Sequence, residues 1–391
     1  MKSKSMRFRW MSNLKKWVVN NLCCVVRKKN KRRERCEDLE SDSVDQCEIK
    51  TAVLTHLNAS PETSRLADSE TEMAKLKLED LHRVTPLGSG GFGRVILVQD
   101  KNTSSETYAL KILSKQRIVA IGFQERVLNE KNIMAELKSD FIVRLYKTFK
   151  DNEYLYLLME PCLGGELSTL IYEVDNLNHT AAKFYTACIT EALIFMHSKG
   201  IVHTDLTTSN ALLDSKGYVK LIDFGMASKV RPGQETTTLG GTPDYMAPEI
   251  ILNKGHNTAA DLWSLGVIVY TMLAGWAPFE DEDENDIQTY HNILKGIDAV
   301  VFPDDIENNA EDLICKLCRD DPAERLSAQE IPTHGWFNDF HWEDLRNRTM
   351  KPPFIPKITS PIDTRNFDVE DFSEEAKHPS TYDVSSWDPD F

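Results

Sequence analysis

Four glycines fall within six residues in LeuGlySerGlyGlyPheGlyArgVal, 87–95, and this run constrains the chain more than any other feature. It leads into ArgValIleLeuVal, 94–98, an apolar, β-branched stretch of strand type. Dinucleotide-binding folds put their glycines at a strand-to-helix turn. Here the glycines precede a strand, so the context is a hairpin lid whose backbone N–H groups cover phosphates. Gly88, Gly90 and Gly93 are expected to be glycine so that the backbone can approach a ligand closely. Leu87, Ser89, Gly91, Phe92 and Val95 complete the lid.

TyrAlaLeuLysIleLeu, 108–113, reads as the second strand of a hairpin, with a polar turn from Asp100 to Glu106. It carries Ala109 and Lys111. An inward-facing strand lysine is costly unless paired. The spacing predicts a helix from Phe123 to Leu137, and Glu130 on it is the candidate partner. Further helices are predicted from Thr180 to Lys199, closed by Gly200, and over 258–275, which is apolar on most sides and suits burial. A strand-rich front is thus followed by a helix-rich back, an α+β arrangement.

The back half carries HisThrAspLeuThrThrSerAsn at 203–210, LeuIleAspPheGly at 221–225 and AlaProGlu at 247–249. Asp205 can accept the proton of a substrate hydroxyl. Asn210 and Asp223 can hold Mg²⁺ bridging phosphates, and Lys111 with Glu130 can hold the α- and β-phosphates. Phosphoryl transfer depends on positioning and charge neutralisation, which this donor set offers.

With these motifs in order, the region from about Leu81 to Trp336 resembles a eukaryotic protein kinase. GlyThrProAspTyrMetAlaProGlu and a long aromatic tail are similar to the AGC group, which contains the cyclic-nucleotide-dependent kinases. IleLeuAsnLysGlyHis, LysLeuCysArgAsp, SerProIleAspThrArgAsnPheAsp and the terminal TrpAspProAspPhe resemble the catalytic half of cyclic-GMP-dependent protein kinase. The resemblance implies a bilobal fold: a small antiparallel sheet lobe to about 160 and a mainly helical lobe over 163–337. The kinase domain would span 79–337 and a wrapping tail 338–391. It implies ATP and Mg²⁺ as cofactors, Met159 as gatekeeper and Glu160 to Cys162 as the adenine-reading hinge. Glu166 would meet the ribose and a substrate arginine, so protein substrates with basic residues upstream of Ser/Thr are expected. Thr238 would be the activation-loop phosphosite and Glu249 would pair with Arg325. Phe367 would close over the nucleotide and Phe391 would dock on the small lobe. The 78 residues ahead are too few for a cyclic-nucleotide-binding domain, so cyclic-nucleotide binding in cis is not expected.

Several positions depart from the family pattern. The arginine beside the catalytic aspartate is Thr204, which removes the main anchor for a phosphate on Thr238. Arg126, one turn before Glu130, is expected to take part of that load. The lysine two positions after the aspartate is Thr207, whose loss costs roughly 2–4 kcal/mol of transition-state stabilisation. Ser209 and Thr271 replace two acids that read a second upstream arginine. Two functions therefore stand: a serine/threonine kinase, slowed by its altered loop, or a pseudokinase that binds nucleotide and scaffolds partners. Retention of Asp205 favours the first, because a scaffold needs no catalytic base.

Charge is uneven. Residues 1–35 hold thirteen Lys/Arg and one acid, a net of +12, so the remainder of a −15 chain is −27. Trp10, Leu14, Trp17 and Val18 fall on one helical face, followed by Cys23, Cys24 and a polybasic run, 27–35. Residues 1–78 read as a largely disordered arm and linker suited to an anionic membrane surface. A cytoplasmic, peripheral-membrane address is expected, with a nuclear one as the alternative; nucleic acid is not the expected partner. The acidic run 280–286 reads as a solvated loop. Eight cysteines show no disulfide framework, and Cys315 with Cys318 read as helix thiols rather than a metal site.

Overall fold

The computed structural model describes residues 73–90, 93–103, 106–281, 283, 285–367, 387–389 and 391. The basic arm with Cys23 and Cys24, together with Gly91 and Phe92, lies outside the described residues. The chain divides into two units, 1–77 and 78–391, and the architecture below is that of the second.

The small lobe is one antiparallel sheet of five strands: β1 (Leu81–Ser89), β2 (Gly93–Asp100), β3 (Thr107–Ser114), β4 (Leu145–Lys150) and β5 (Tyr154–Met159). Its order is β1–β2–β3–β5–β4. The expected hairpin is β2–β3, with Val95 opposite Lys111. Helix α1 (Lys115–Ile121) starts at Ser114, whose side chain accepts from Arg117 N–H, and stops at Gly122 in the left-handed region. Helix α2 (Gln124–Glu136) buries Val127, Glu130, Ile133 and Met134. Their spacing of three to four residues puts a carboxylate on the same face as its apolar neighbours, turned inward.

The hinge after Met159 leads into helix α3 (Leu167–Val174) and the large lobe. Helix α4 (His179–Ser198) is capped by Asn178 and followed by Gly200 at φ 70°. Two-stranded ribbons follow: β6 (Ile201–Val202) pairs with β9 (Ser228–Lys229), and β7 (Ala211–Leu213) pairs with β8 (Val219–Leu221). Beyond the short helix α5 (Pro248–Ile251) comes α6 (Ala259–Ala274), buried along nearly its whole length, as its all-round apolar sequence predicts. Helices α7 (Asp286–Ile293), α8 (Asn308–Leu317) and α9 (Trp342–Arg346) complete the lobe.

Arg325 and Glu249 form a buried two-pronged ion pair, both contacts 2.7 Å. Removing one partner from such a pair costs roughly 3–5 kcal/mol, because the other charge is left buried alone. Cys318 is buried with its Sγ facing the Trp263 carbonyl, and Cys315 is half-buried. Both thiols are free, and no cluster of three metal-ligating side chains occurs among the described residues.

The segment after α9 lies along the β7–β8 turn instead of building a core. Arg348 pairs with Asp214 and stacks over Tyr218, and the Tyr218 hydroxyl donates to the Met350 carbonyl. Further on, Asn366 donates to the Leu163 carbonyl at 2.9 Å. Pro356 crowds Gly164, where an added Cβ would collide with it.

Candidate functional site

The cleft between the lobes collects the expected charges. Lys111 Nζ lies 2.6 Å from Glu130 Oε1 and 3.2 Å from Asp223 Oδ1. Three elements make this possible: β3 turns Lys111 inward, α2 turns Glu130 inward, and the loop after β8 presents Asp223. Burial alone would lower the Lys111 ammonium's pKa, but the Asp223 and Glu130 carboxylates reverse it and push it up. Glu130 is shifted upward by burial, with Lys111 opposing. The Lys111 charge holds Asp223 below the usual carboxylate range, against its own desolvation. Gly225 keeps the cluster tight, since a Cβ there would stand 3.3 Å from Asp223 Oδ1.

Asp205 stands near enough to Asp223 for their charges to interact. Its Oδ1 accepts from the Thr242 N–H at 2.9 Å and the Thr242 hydroxyl at 2.8 Å. Asn210 Nδ2 donates to the Asp205 carbonyl at 2.8 Å and approaches its Oδ2 at 3.4 Å. Burial raises the Asp205 pKa; the Thr242 bonds oppose it and the Asp223 charge adds to it. With its amide N–H groups engaged, Asn210 has its amide oxygen left as a cation ligand. Asp223, half exposed, offers carboxylate oxygens. Two protein oxygen ligands suit an ion that keeps several waters and takes its other ligands from phosphates, as Mg²⁺ does.

The loop that carries Asp205 is hung from α6. Asp261, fully buried, accepts from the backbone N–H groups of His203 and Thr204, each at 2.9 Å, and its Oδ2 lies 2.9 Å from His197 Nε2. Burial pushes Asp261 up, yet the bonds from His197 and His203 outweigh it and leave the pKa lowered. This anchor was missed in the sequence, although a lone aspartate in an otherwise apolar helix is a signal, since a buried charge demands partners. The same bonds hold Thr204 at φ 70°. A β-branched residue in the left-handed region is strained by roughly 1–2 kcal/mol.

The glycine lid needs one addition. An added Cβ on Gly88 or Gly90 would meet nothing within 4 Å, so space remains there for a ligand. On Gly93 it would run into the Ile112 carbonyl. Gly93 is therefore required by the pairing of β2 with β3, a demand additional to any ligand approach. Ser89 ends β1 opposite Arg94, and Leu87 and Val95 are half-buried beside the core. Ala109 pairs with Met159, and both are buried with Cys162 at the adenine end expected from the sequence. Burial pushes the Cys162 thiol well above its ordinary range.

Around the loop that carries Asp205, hydroxyls make the contacts. Thr207 Oγ1 accepts from Asn210 N–H at 3.1 Å, and the Thr208 and Tyr245 hydroxyls are 3.0 Å apart. Ser168 donates to Glu166 at 2.7 Å and receives from Ser209 at 3.1 Å. Thr271 turns its hydroxyl onto its own helix, donating to the Val267 carbonyl.

In the activation segment, Thr238 Oγ1 lies 2.9 Å from Thr236 Oγ1 and 3.1 Å from Ser228 Oγ. Arg126, expected to share the load of a phosphate on Thr238, donates to Met226 Sδ at 3.2 Å and stacks over Phe123. Phe391 packs on the small lobe's core with Lys131 over its ring, while Asp388 pairs with buried Lys115 at 2.7 Å. Phe367 is half-buried, its N–H donating to the Thr364 carbonyl.

Comparison with known proteins agrees with this geometry. The protein kinase domain family matches residues 81–337. A Drosophila melanogaster cGMP-dependent protein kinase, isozyme 2 forms cD5/T2, is 49% identical over 325 residues, 82% of this chain and 34% of its own length. The Caenorhabditis briggsae cGMP-dependent protein kinase egl-4 is 44% identical over 354 residues, 88% of this chain and 46% of the relative. Human cGMP-dependent protein kinase 2 is 45% identical over 318 residues, 80% and 41%. The chain thus spans about a third to somewhat under half the length of these relatives.

Proposed function

The chain belongs to the protein kinase domain family, and on that premise we propose that it transfers the γ-phosphoryl group of ATP to serine and threonine hydroxyls of proteins. One observation carries this reading: Lys111 sits between Glu130 and Asp223, and Asp205, within reach of the Asp223 charge, is fixed by Thr242 and Asn210. In the proposed reaction the substrate hydroxyl oxygen bonds to the γ-phosphorus as the bond to the β–γ bridging oxygen breaks. The hydroxyl proton passes to Asp205, and ADP leaves. A base whose pKa is raised by burial accepts that proton more readily than an ordinary aspartate would. Asn210 and Asp223 would hold Mg²⁺, which neutralises phosphate charge when bound.

Thr207 leaves the transferred group without a protein cation at that position, so turnover is expected to be slow. Glu166 would read a basic residue upstream of the phosphoacceptor. With Ser209 and Thr271 in place of acids, the second upstream position would be weakly selected. The arm, 1–35, is proposed to bring the kinase to an anionic membrane surface, on its net charge of +12 and its aromatic face. A fluorescent fusion of residues 1–40 would accumulate at membranes and be released by Cys23→Ser with Cys24→Ser. Nuclear accumulation of the fusion would overturn that address.

The deciding experiment is ATP-to-peptide phosphate transfer by the full chain beside Asp205→Asn. Transfer by the first and not the second is expected. Nucleotide binding without transfer by either would make the chain a nucleotide-holding scaffold.

A further inference from the structure

Lys220, in the middle of β8, is almost fully buried. Its ammonium lies 3.0 Å from Glu160 Oε2, and the two side chains are 5% and 24% exposed. A buried ammonium is tolerated only with a partner. This partner is not a neighbour on the ribbon but the first residue of the hinge, 60 positions earlier. The same Glu160 oxygen accepts from Arg144 N–H at 3.3 Å, and Glu160 N–H donates to the Arg144 carbonyl at 2.9 Å. Both backbone and side chain of this hinge residue are therefore held.

The other end of the ribbon gives the pair its meaning. Ile222 N–H donates to the Asn210 carbonyl at 3.0 Å, closing the open end of β7–β8. That end carries both proposed metal ligands: Asn210 immediately before β7 and Asp223 two residues after β8. The hinge is also joined to β7 by backbone, Gly164 N–H to the Leu213 carbonyl and Leu213 N–H to the Gly165 carbonyl, each 2.9 Å. So the ribbon connects the adenine end of the cleft to its metal end. Among the described residues, Lys220 with Glu160 is the ribbon's side-chain ion pair to the hinge.

We propose that Lys220 is a positioning residue: through Glu160 it sets the distance between the hinge and the Asn210–Asp223 end, and thereby the affinity for nucleotide. This rests on the kinase reading above, since it concerns the same cleft. The ammonium is turned away from the phosphate-side cluster of Lys111, Glu130 and Asp223 and makes none of their contacts. Its effect would be geometric: a hinge free to drift from the ribbon no longer presents adenine and phosphate sites at a matched spacing.

The test titrates the full chain with a fluorescent ATP analogue in Mg²⁺, with peptide KM measured in parallel. Lys220→Met is expected to weaken nucleotide binding about tenfold, since small misplacements propagate strongly to a matched site. Peptide KM should stay unchanged, and Lys220→Arg should bind nearly as wild type. The double variant Glu160→Gln with Lys220→Met removes both charges, so it folds without an unpaired buried ion. It too should bind nucleotide weakly, while regaining thermal stability lost in the single variant. Wild-type affinity in Lys220→Met, or in the double variant, overturns the proposal; in the latter case the unpaired charge alone caused the loss. Equal weakening for nucleotide and peptide in the double variant overturns it as well. A wild-type chain that binds no nucleotide would instead strike down the kinase reading itself.

Discussion

The two walls of the cleft are held by different chemistry. On the nucleotide side, Lys111, Glu130 and Asp223 form a charged cluster with contacts of 2.6 and 3.2 Å. On the substrate and activation side, Thr207, Thr208, Ser209, Ser168 and the trio Ser228, Thr236, Thr238 are joined hydroxyl to hydroxyl or hydroxyl to amide. Glu130 is buried and Lys111 mostly so, and this pair tolerates little change, because removing one member strands the other. Apart from the Ser168 contact with Glu166, the hydroxyl network is neutral, and each hydroxyl can donate or accept, so members are exchanged at small cost.

Variants can break or sharpen it. The largest effect is expected at Asp205→Asn, which should reduce peptide phosphorylation about 10²–10⁴-fold, the usual worth of a general base. The same variant should melt slightly higher. The wild-type carboxyl has a raised pKa in the fold, so its ionisation costs stability as pH rises through that value. Below that pH the wild-type group is protonated, and the difference in Tm should shrink. Calorimetry across pH checks the sign. A gap that widens toward acid would contradict it.

Next in size is Thr207→Lys, which restores a cation to the hydroxyl wall and should raise kcat by about 10²-fold, with little change in KM for ATP. If kcat is unmoved, the hydroxyl wall is not what limits turnover. Smaller again, relative to wild-type enzyme phosphorylated on Thr238, Thr238→Ala (which cannot be phosphorylated there) and Arg126→Ala (phosphorylated) should each be about tenfold less active, near the low end of one charge-assisted hydrogen bond. The modest size follows from a loop already ordered by Ser228 and Thr236. A strong loss in Thr238→Ala with none in Arg126→Ala would show that another group grips the phosphate. Thr204→Gly should raise stability by roughly 1 kcal/mol by relieving the positive φ, read by denaturant unfolding. The smallest effect is selectivity: in a positional peptide library, arginine two residues upstream should be favoured about threefold or less.

Much of this was legible beforehand where the signal is local. The strands at 94–98 and 108–113 and the helix at 123–137 appear as β2, β3 and α2 with ends shifted by a residue or two. Alternation and helical spacing are properties of neighbouring residues, and the backbone obeys them. Lys111 and Glu130 could be paired because both lie on such elements. The packing demand at Gly93 is not legible locally, because it arises from a carbonyl on another strand. Asp261 was overlooked because its partners lie 57 to 64 positions away. Helical turn alone tied Arg126 to a phosphate on Thr238; that its guanidinium packs on Phe123 and Met226 is a contact no local pattern records.

By itself the sequence determined the elements, the order of the charged residues and which charges were missing, because residue type and spacing carry that information directly. The tertiary structure alone decided that Lys111 meets Asp223 across 112 positions, that Asp261 suspends the catalytic loop, and that Lys220 reaches the hinge. These contacts depend on how lobes and ribbons pack. Each joins groups too far apart in sequence for any local pattern to record.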